Sequence, residues 1–228
     1  MRSDTLFTSA GWLLSTTCLC AVFLWSNFAE AGQTRIPDYE TARGIFWYEL
    51  YDRGGETLYC GRPFRAGERR ELNIEHVYPM SWVTRELRCG DRNQCRGRSA
   101  AFNRIEADLH NLFPSETLTN DARGSFRFGV IPGESRRFGA CDFEVDERAR
   151  VAEPRPVSRG EIARAMFYMS QSYGLKIFAS SGRLFRQWHF EDPPTEEERR
   201  RNDRIEKLQG TRNPFVDQPE RASELRFY

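Results

Sequence analysis

Between Glu71 and Met80 the chain reads ELNIEHVYPM, an apolar, strand-like run that ends in an adjacent carboxylate and imidazole, Glu75 and His76. Pro79 cannot donate to a sheet ladder, so the strand must stop where these two groups stand. Side by side, a carboxylate and an imidazole can serve one metal-bound phosphate. About thirty residues on, ADLHNLFP (Ala107 to Pro114) supplies Asn111, a neutral oxygen ligand of the kind Mg²⁺ accepts beside a carboxylate.

Residues 1–31 begin with Arg2, continue as an apolar run from Trp12 to Trp25, and end Ala29-Glu30-Ala31 before Gly32. This is the arrangement of a signal peptide with an A-x-A cleavage site. A membrane anchor is the competing reading, but Ser15, Thr16 and Thr17 interrupt the run, which is shorter than the roughly 20 residues of a spanning helix. Cleavage leaves residues 32–228, enough for one domain with a core and few for two. Cys18 and Cys20 leave with the signal, and Cys60, Cys89, Cys95 and Cys141 remain. An even count in an exported chain implies disulfides, and no Cys-x-x-Cys pair points to zinc. The short Arg-rich loop between Cys89 and Cys95 favours pairing these two, which would leave Cys60 with Cys141; two other connectivities stay open.

The formal net charge of +1 becomes about +2 once Arg2, Asp4 and Glu30 are removed, so net charge alone selects no partner. Distribution says more. Arg85, Arg88, Arg92, Arg96, Arg98 and Arg104 stand close together against only Glu86 and Asp91, a local basic patch suited to nucleic acid. Lys occurs only at 176 and 207, and the planar fork of Arg suits bidentate phosphate contact. A general bias towards Arg explains much of the count, though not the clustering.

The spacing of apolar residues predicts a helix over Tyr39–Tyr51, entered at Pro37 and Asp38, and a short strand around Thr57–Cys60. Glu71–Val77 reads as strand, and polar, Gly-bearing Arg85–Ser99 as a loop over the site. Asn103–Leu112 is expected as helix or helical turn, and Ser115–Asp121 as a second helix, capped by Ser115. Phe126–Ile131 and Asp142–Val145 read as short strands. Val157–Tyr173, capped by Ser158, carries Ile162, Ala163, Ala165, Met166 and Met169 as a core face. Further helices are predicted over Ser181–His189 and Thr195–Gln209, the second opened by a Thr195/Glu198 capping box, before a polar tail from about residue 214.

Phosphodiester hydrolysis at neutral pH needs a deprotonated water, a cation against the developing negative charge, and help for the leaving alkoxide. His76 suits the first role, because a pKa near neutrality lets an uncharged imidazole take the proton. Glu75 and Asn111 would hold Mg²⁺, and Arg92 would offset charge on the transition state. Each also has a plain structural reading. His76 could be a satisfied polar group after a strand, Asn111 a cap, Arg92 one solvated Arg among many, and Glu75 a surface carboxylate. It is their coincidence that favours chemistry. His110 reads as orienting Asn111 or filling a junction, and His189 as a packing residue.

YCG at Tyr59, NIEHVYP at Asn73, EADLHNLFPS at Glu106, NDARGS at Asn120, RGEIARAMFYMSQSYG at Arg159 and RIEKLQGTRNPFVD at Arg204 together resemble the endonuclease I family, nucleases of the ββα-metal (His-Me finger) group. The resemblance covers most of residues 32–228. It implies an α+β fold in which a ββα-metal core is surrounded by additional helices and short strands. It also implies Glu75 and Asn111 as Mg²⁺ ligands, His76 as general base, and an Arg before a loop cysteine, matched by Arg92 before Cys95, as phosphate stabiliser. The loop from Glu75 to Cys95 is shorter than is usual in the family, which keeps Arg88 and Arg96 as substitutes for Arg92.

The expectation is therefore an exported, periplasmic or secreted endonuclease. It would depend on Mg²⁺, with Mn²⁺ or Ca²⁺ as other metals, and act as a monomer without stable membrane association. Its substrates would be double- and single-stranded DNA, and RNA, without sequence preference, since phosphate contacts carry no base information. Two alternatives come from other classes: a catalytically silent, disulfide-stabilised nucleic-acid-binding protein, and an exported phosphodiesterase acting on small phosphates.

Overall fold

A computed structural model describes residues 1, 32–133 and 137–228; beyond Met1, the expected signal peptide lies outside the described residues. Helix α1 (Tyr39–Ile45), capped by Asp38, runs into one wider π-type turn, Phe46–Leu50. It is followed by β1 (Gly55–Glu56), β2 (Pro63–Phe64), β3 (Leu72–His76), α2 (Met80–Leu87), α3 (Arg92–Arg98) and α4 (Ala100–Glu106). Next come β4 (Leu112–Glu116), α5 (Thr117–Arg123), β5 (Arg127–Phe128), β6 (Glu144–Asp146) and β7 (Val151–Glu153). Helices α6 (Arg159–Tyr173), α7 (Ala179–Glu191), α8 (Glu196–Gln209) and α9 (Pro214–Asp217) complete the chain.

Strands β3 and β4 pair antiparallel, with Glu75 opposite Phe113 and His76 opposite Leu112, and α5 follows β4 directly. These three elements form the ββα core. Both faces of the hairpin are buried. Ile74 and Leu112 enter one apolar cluster with Ile36, Phe46 and Ile205, while Phe113 enters another with Tyr59, Phe128, Phe143 and much of α6. Alternation along the strands therefore sends Glu75 and His76 towards different environments. Strand β7 lies between β5, to which it runs parallel, and antiparallel β6.

Several elements differ from the sequence expectation. Thr57–Cys60 is a turn between β1 and β2, because Gly61, at φ +64°, reverses the chain and its N–H closes on the Thr57 carbonyl at 2.9 Å. Arg85–Ser99 is not a loop but the end of α2 and all of α3. Arg88 (φ 52°) ends α2, and a reciprocal Asp91/Gln94 capping box starts α3. Ser115 caps no helix: it lies in β4 opposite Asn73. Asn103–Leu112 is divided between the end of α4, which stops at Glu106 and has Ser99 as its cap, and a short 3₁₀ turn, Leu109–Asn111. Strand β7 was not anticipated. Thr195 does cap α8, but the Glu198 side chain turns to Arg164 instead of closing the box. Ser158 leaves α6 uncapped, and a remote carboxylate, Asp192 Oδ2, accepts from Gly160 N–H at 2.8 Å. The stretch after 214 is structured, with Phe215 and Val216 buried and the Phe227 ring stacked 5.9 Å from Phe167.

Disulfides join Cys60 to Cys141 and Cys89 to Cys95. The first ties the turn after β1 to the segment before β6. The second fixes α2 against α3, which carries the candidate catalytic arginines.

Arg164 of α6 and Glu198 of α8 form a buried two-point ion pair, both contacts at 2.6 Å. One turn earlier, Glu161 is pushed up to about 7 by burial and by the charge of Glu198. Folded, this carboxyl holds its proton up to about pH 7; its ordinary value is 4.5. Stability should therefore fall as pH rises through that window. Glu161→Gln should gain about 1–2 kcal/mol at pH 8 and almost nothing at pH 4, as urea unfolding at the two pH values would show. An equal gain at both would refute this account of Glu161.

Candidate active site

The Glu75 carboxylate is buried, and its Oε1 accepts from Tyr59 Oη and Arg123 Nη1, each at 2.6 Å. Both bonds fall on Oε1, so Oε2 lies outside them. Arg123, the last residue of α5 and itself buried, also donates to the His76 carbonyl at 3.0 Å and the Val77 carbonyl at 2.7 Å. Its guanidinium lies 4.4 Å from the Phe128 ring. The helix of the ββα core thus returns across the hairpin and pins the end of β3. Burial nevertheless outweighs the charge of Arg123 and raises the Glu75 carboxyl above its ordinary value.

His76 stands on the other side of the strand, its ring 5.2 Å from Tyr39. Its Nε2 is 3.0 Å from the main-chain carbonyl of Glu106. A carbonyl only accepts, so Nε2 carries the proton and Nδ1 keeps its lone pair. Burial, then the nearby charge of Arg92, lowers His76 to about 3, well below the near-neutral value expected from the sequence, so the imidazole is neutral at physiological pH.

Glu106 also gathers the cations. Its buried carboxylate accepts from Arg92 Nε and, at 2.8 and 3.0 Å, from Arg96 Nε and Nη2. Both guanidinium groups lie 5.4 Å from the Tyr39 ring. One residue therefore ties the candidate base to two candidate phosphate-binding arginines, the main chain holding the first and the side chain the others.

Asn111 is fully buried, and its amide clamps the main chain of Tyr78: Oδ1 accepts from the Tyr78 N–H at 2.6 Å, and Nδ2 donates to the Tyr78 carbonyl at 3.0 Å. Oδ1 keeps a second lone pair. The turn that carries Asn111 is held by buried Asp108, which accepts from Tyr168 at 2.9 Å, Tyr173 at 2.6 Å and Gln209 at 2.8 Å. His110 belongs to this support, its ring tilted against that of Tyr168 at 4.3 Å and its Nε2 on the Thr211 carbonyl. Burial lowers it to about 4. His189 packs near Phe167 and bonds to the Pro219 carbonyl.

The fold brings Glu75, His76 and Asn111 to one end of the β3–β4 hairpin, with Arg92 and Arg96 beside His76. Of the rest of the basic patch, one member is turned elsewhere. Arg85 lines a separate groove with Tyr78 and Trp82, and Arg88, Arg98 and Arg104 are exposed. Sequence reasoning gave no role to Tyr59, Glu106 or Arg123, although each lies inside a motif quoted above. A lone acid, Arg or Tyr carries no local signal of a partner 10 to 48 residues away.

The Endonuclease I family model matches residues 36–220. An extracellular deoxyribonuclease of Aeromonas hydrophila is 41% identical over 223 residues, 87% of this chain and 95% of the relative. A periplasmic deoxyribonuclease of the same organism is 39% identical over 193 residues, 74% and 81% of the two chains. An extracellular ribonuclease of Bacillus subtilis is 31% identical over 178 residues, 70% of this chain and 56% of the relative. Such relatives are named extracellular or periplasmic, in keeping with an exported protein. Among the described residues no helix is long and apolar enough to cross a membrane. With the ββα core in place and the family model matched over most of its length, this chain belongs to the endonuclease I family and is an endonuclease.

Proposed function

We propose that this enzyme is an Mg²⁺-dependent, sequence-nonspecific endonuclease, monomeric and acting on DNA and RNA, in which His76 is the general base. The observation that carries this reading is the oriented imidazole of His76, with its Nε2–H directed at the Glu106 carbonyl and two arginines beside it. In the reaction, Nδ1 accepts a proton from the water whose oxygen bonds to phosphorus, while the bond from phosphorus to the ester oxygen breaks. Arg92 and Arg96 meet the charge that grows on the phosphate oxygens. Glu75 Oε2 and Asn111 Oδ1, one anionic and one neutral oxygen, fit a hard cation that keeps most of its water. Bound there, Mg²⁺ would supply positive charge against the phosphate and favour loss of a proton from water.

DNA as substrate is supported by the deoxyribonuclease names of the most similar relatives reported above, and RNA by that of the Bacillus subtilis relative. Phosphate contacts through Arg would give little sequence preference. The test is incubation of purified protein with supercoiled plasmid and with RNA, with and without EDTA. Both substrates should be cut when Mg²⁺ is present and spared when it is chelated. Cleavage that survives EDTA would reject the metal, and binding without cleavage would reject the enzyme reading in favour of a silent binding protein.

A further inference from the structure

Tyr78 joins two regions. Its main chain is clamped by Asn111, while its side chain lines a groove of about 530 Å³ bounded by α2, the start of β5 and the segment before α7. Trp82 meets the Tyr78 ring edge to face at 5.6 Å. Phe126 and Phe178 add further rings to the lining, and Phe178 is 68% exposed. The cations of the groove are Arg85, Arg127, Arg150 and Lys176, and the Arg150 guanidinium lies 5.0 Å from the Phe126 ring. One acid, Glu86, stands among them, and it is paired with Lys176 at 3.1 Å.

Aromatic faces interleaved with guanidinium groups are what an unpaired nucleotide strand requires, rings for its bases and cations for its phosphates. A duplex keeps its bases stacked on one another and can use only the cations. An apolar peptide would gain little from the excess positive charge. We propose that this groove is a stacking subsite for unpaired bases flanking the scissile phosphate, so that the enzyme holds single-stranded nucleic acid through contacts a duplex cannot make. The proposal rests on the nuclease reading of the His76 site, from which Tyr78 leads into the groove.

The test is fluorescence anisotropy in EDTA buffer with two probes, an oligothymidine strand and a DNA hairpin of similar charge. Phe178→Ala should weaken binding of the strand about tenfold and of the hairpin by less than about twofold. Phe178→Trp should keep strand affinity, and Phe190→Ala, which removes an exposed ring outside the groove, should change neither probe. The proposal is overturned if Phe178→Ala binds the strand as wild type does, or loses affinity equally for both probes. Plasmid cleavage by the wild-type enzyme is scored separately, so failure of the nuclease reading is seen apart from failure of the groove.

Discussion

Arg123→Met is expected to lower the unfolding free energy by about 3–5 kcal/mol, with a fall of roughly 10 °C in melting temperature. The guanidinium is buried against a buried carboxylate and also serves the carbonyls of His76 and Val77. Its removal leaves Glu75 buried without its cation, and a buried charge without its partner costs far more than the intact pair contributes. The double variant Glu75→Leu/Arg123→Met, which removes both charges, should regain most of the stability while remaining inactive. Urea and thermal unfolding distinguish the cases. A single variant as stable as wild type would mean that this ion pair does not hold the end of β3.

The second large effect is catalytic. His76→Ala should slow cleavage by about 10²-fold to 10⁴-fold, the range expected when a positioned general base is lost. Stability should change much less than in Arg123→Met, because His76 contributes one hydrogen bond, to the Glu106 carbonyl, and lies at the edge of the core. Arg92 and Arg96 remain on Glu106 in this variant, so binding to DNA should persist.

Where the sequence carried a contiguous signal, the site could be read from it. Glu75 and His76 are neighbours at a strand end closed by Pro79, and Asn111 stands at the start of the partner strand. The partners that shape them were hidden, because Arg123, Tyr59 and Glu106 act through tertiary contacts. Strand β4 does not announce itself in the sequence, because Ser115 looks like a helix cap. The pairing tolerates Pro114 because its carbonyl points away from β3 and accepts from the Leu58 N–H at 2.8 Å, so the missing N–H falls on the side where this hairpin needs none. Helix α3 reads as a loop from its polar, Gly-bearing composition, although Asp91 and Gln94 spell out its start. The basic patch read along the chain was divided by the turn at Arg88, which sends Arg85 to one groove and Arg92 and Arg96 to His76.

Single-turnover cleavage of plasmid by His76→Ala, measured across a range of Mg²⁺ concentrations beside wild type, bears most directly on the assignment of His76 as the base. A base that is not a metal ligand should leave the half-saturating Mg²⁺ concentration unchanged and lower the plateau rate by about 10²-fold or more. A folded His76→Ala enzyme that reaches the wild-type plateau would contradict the account.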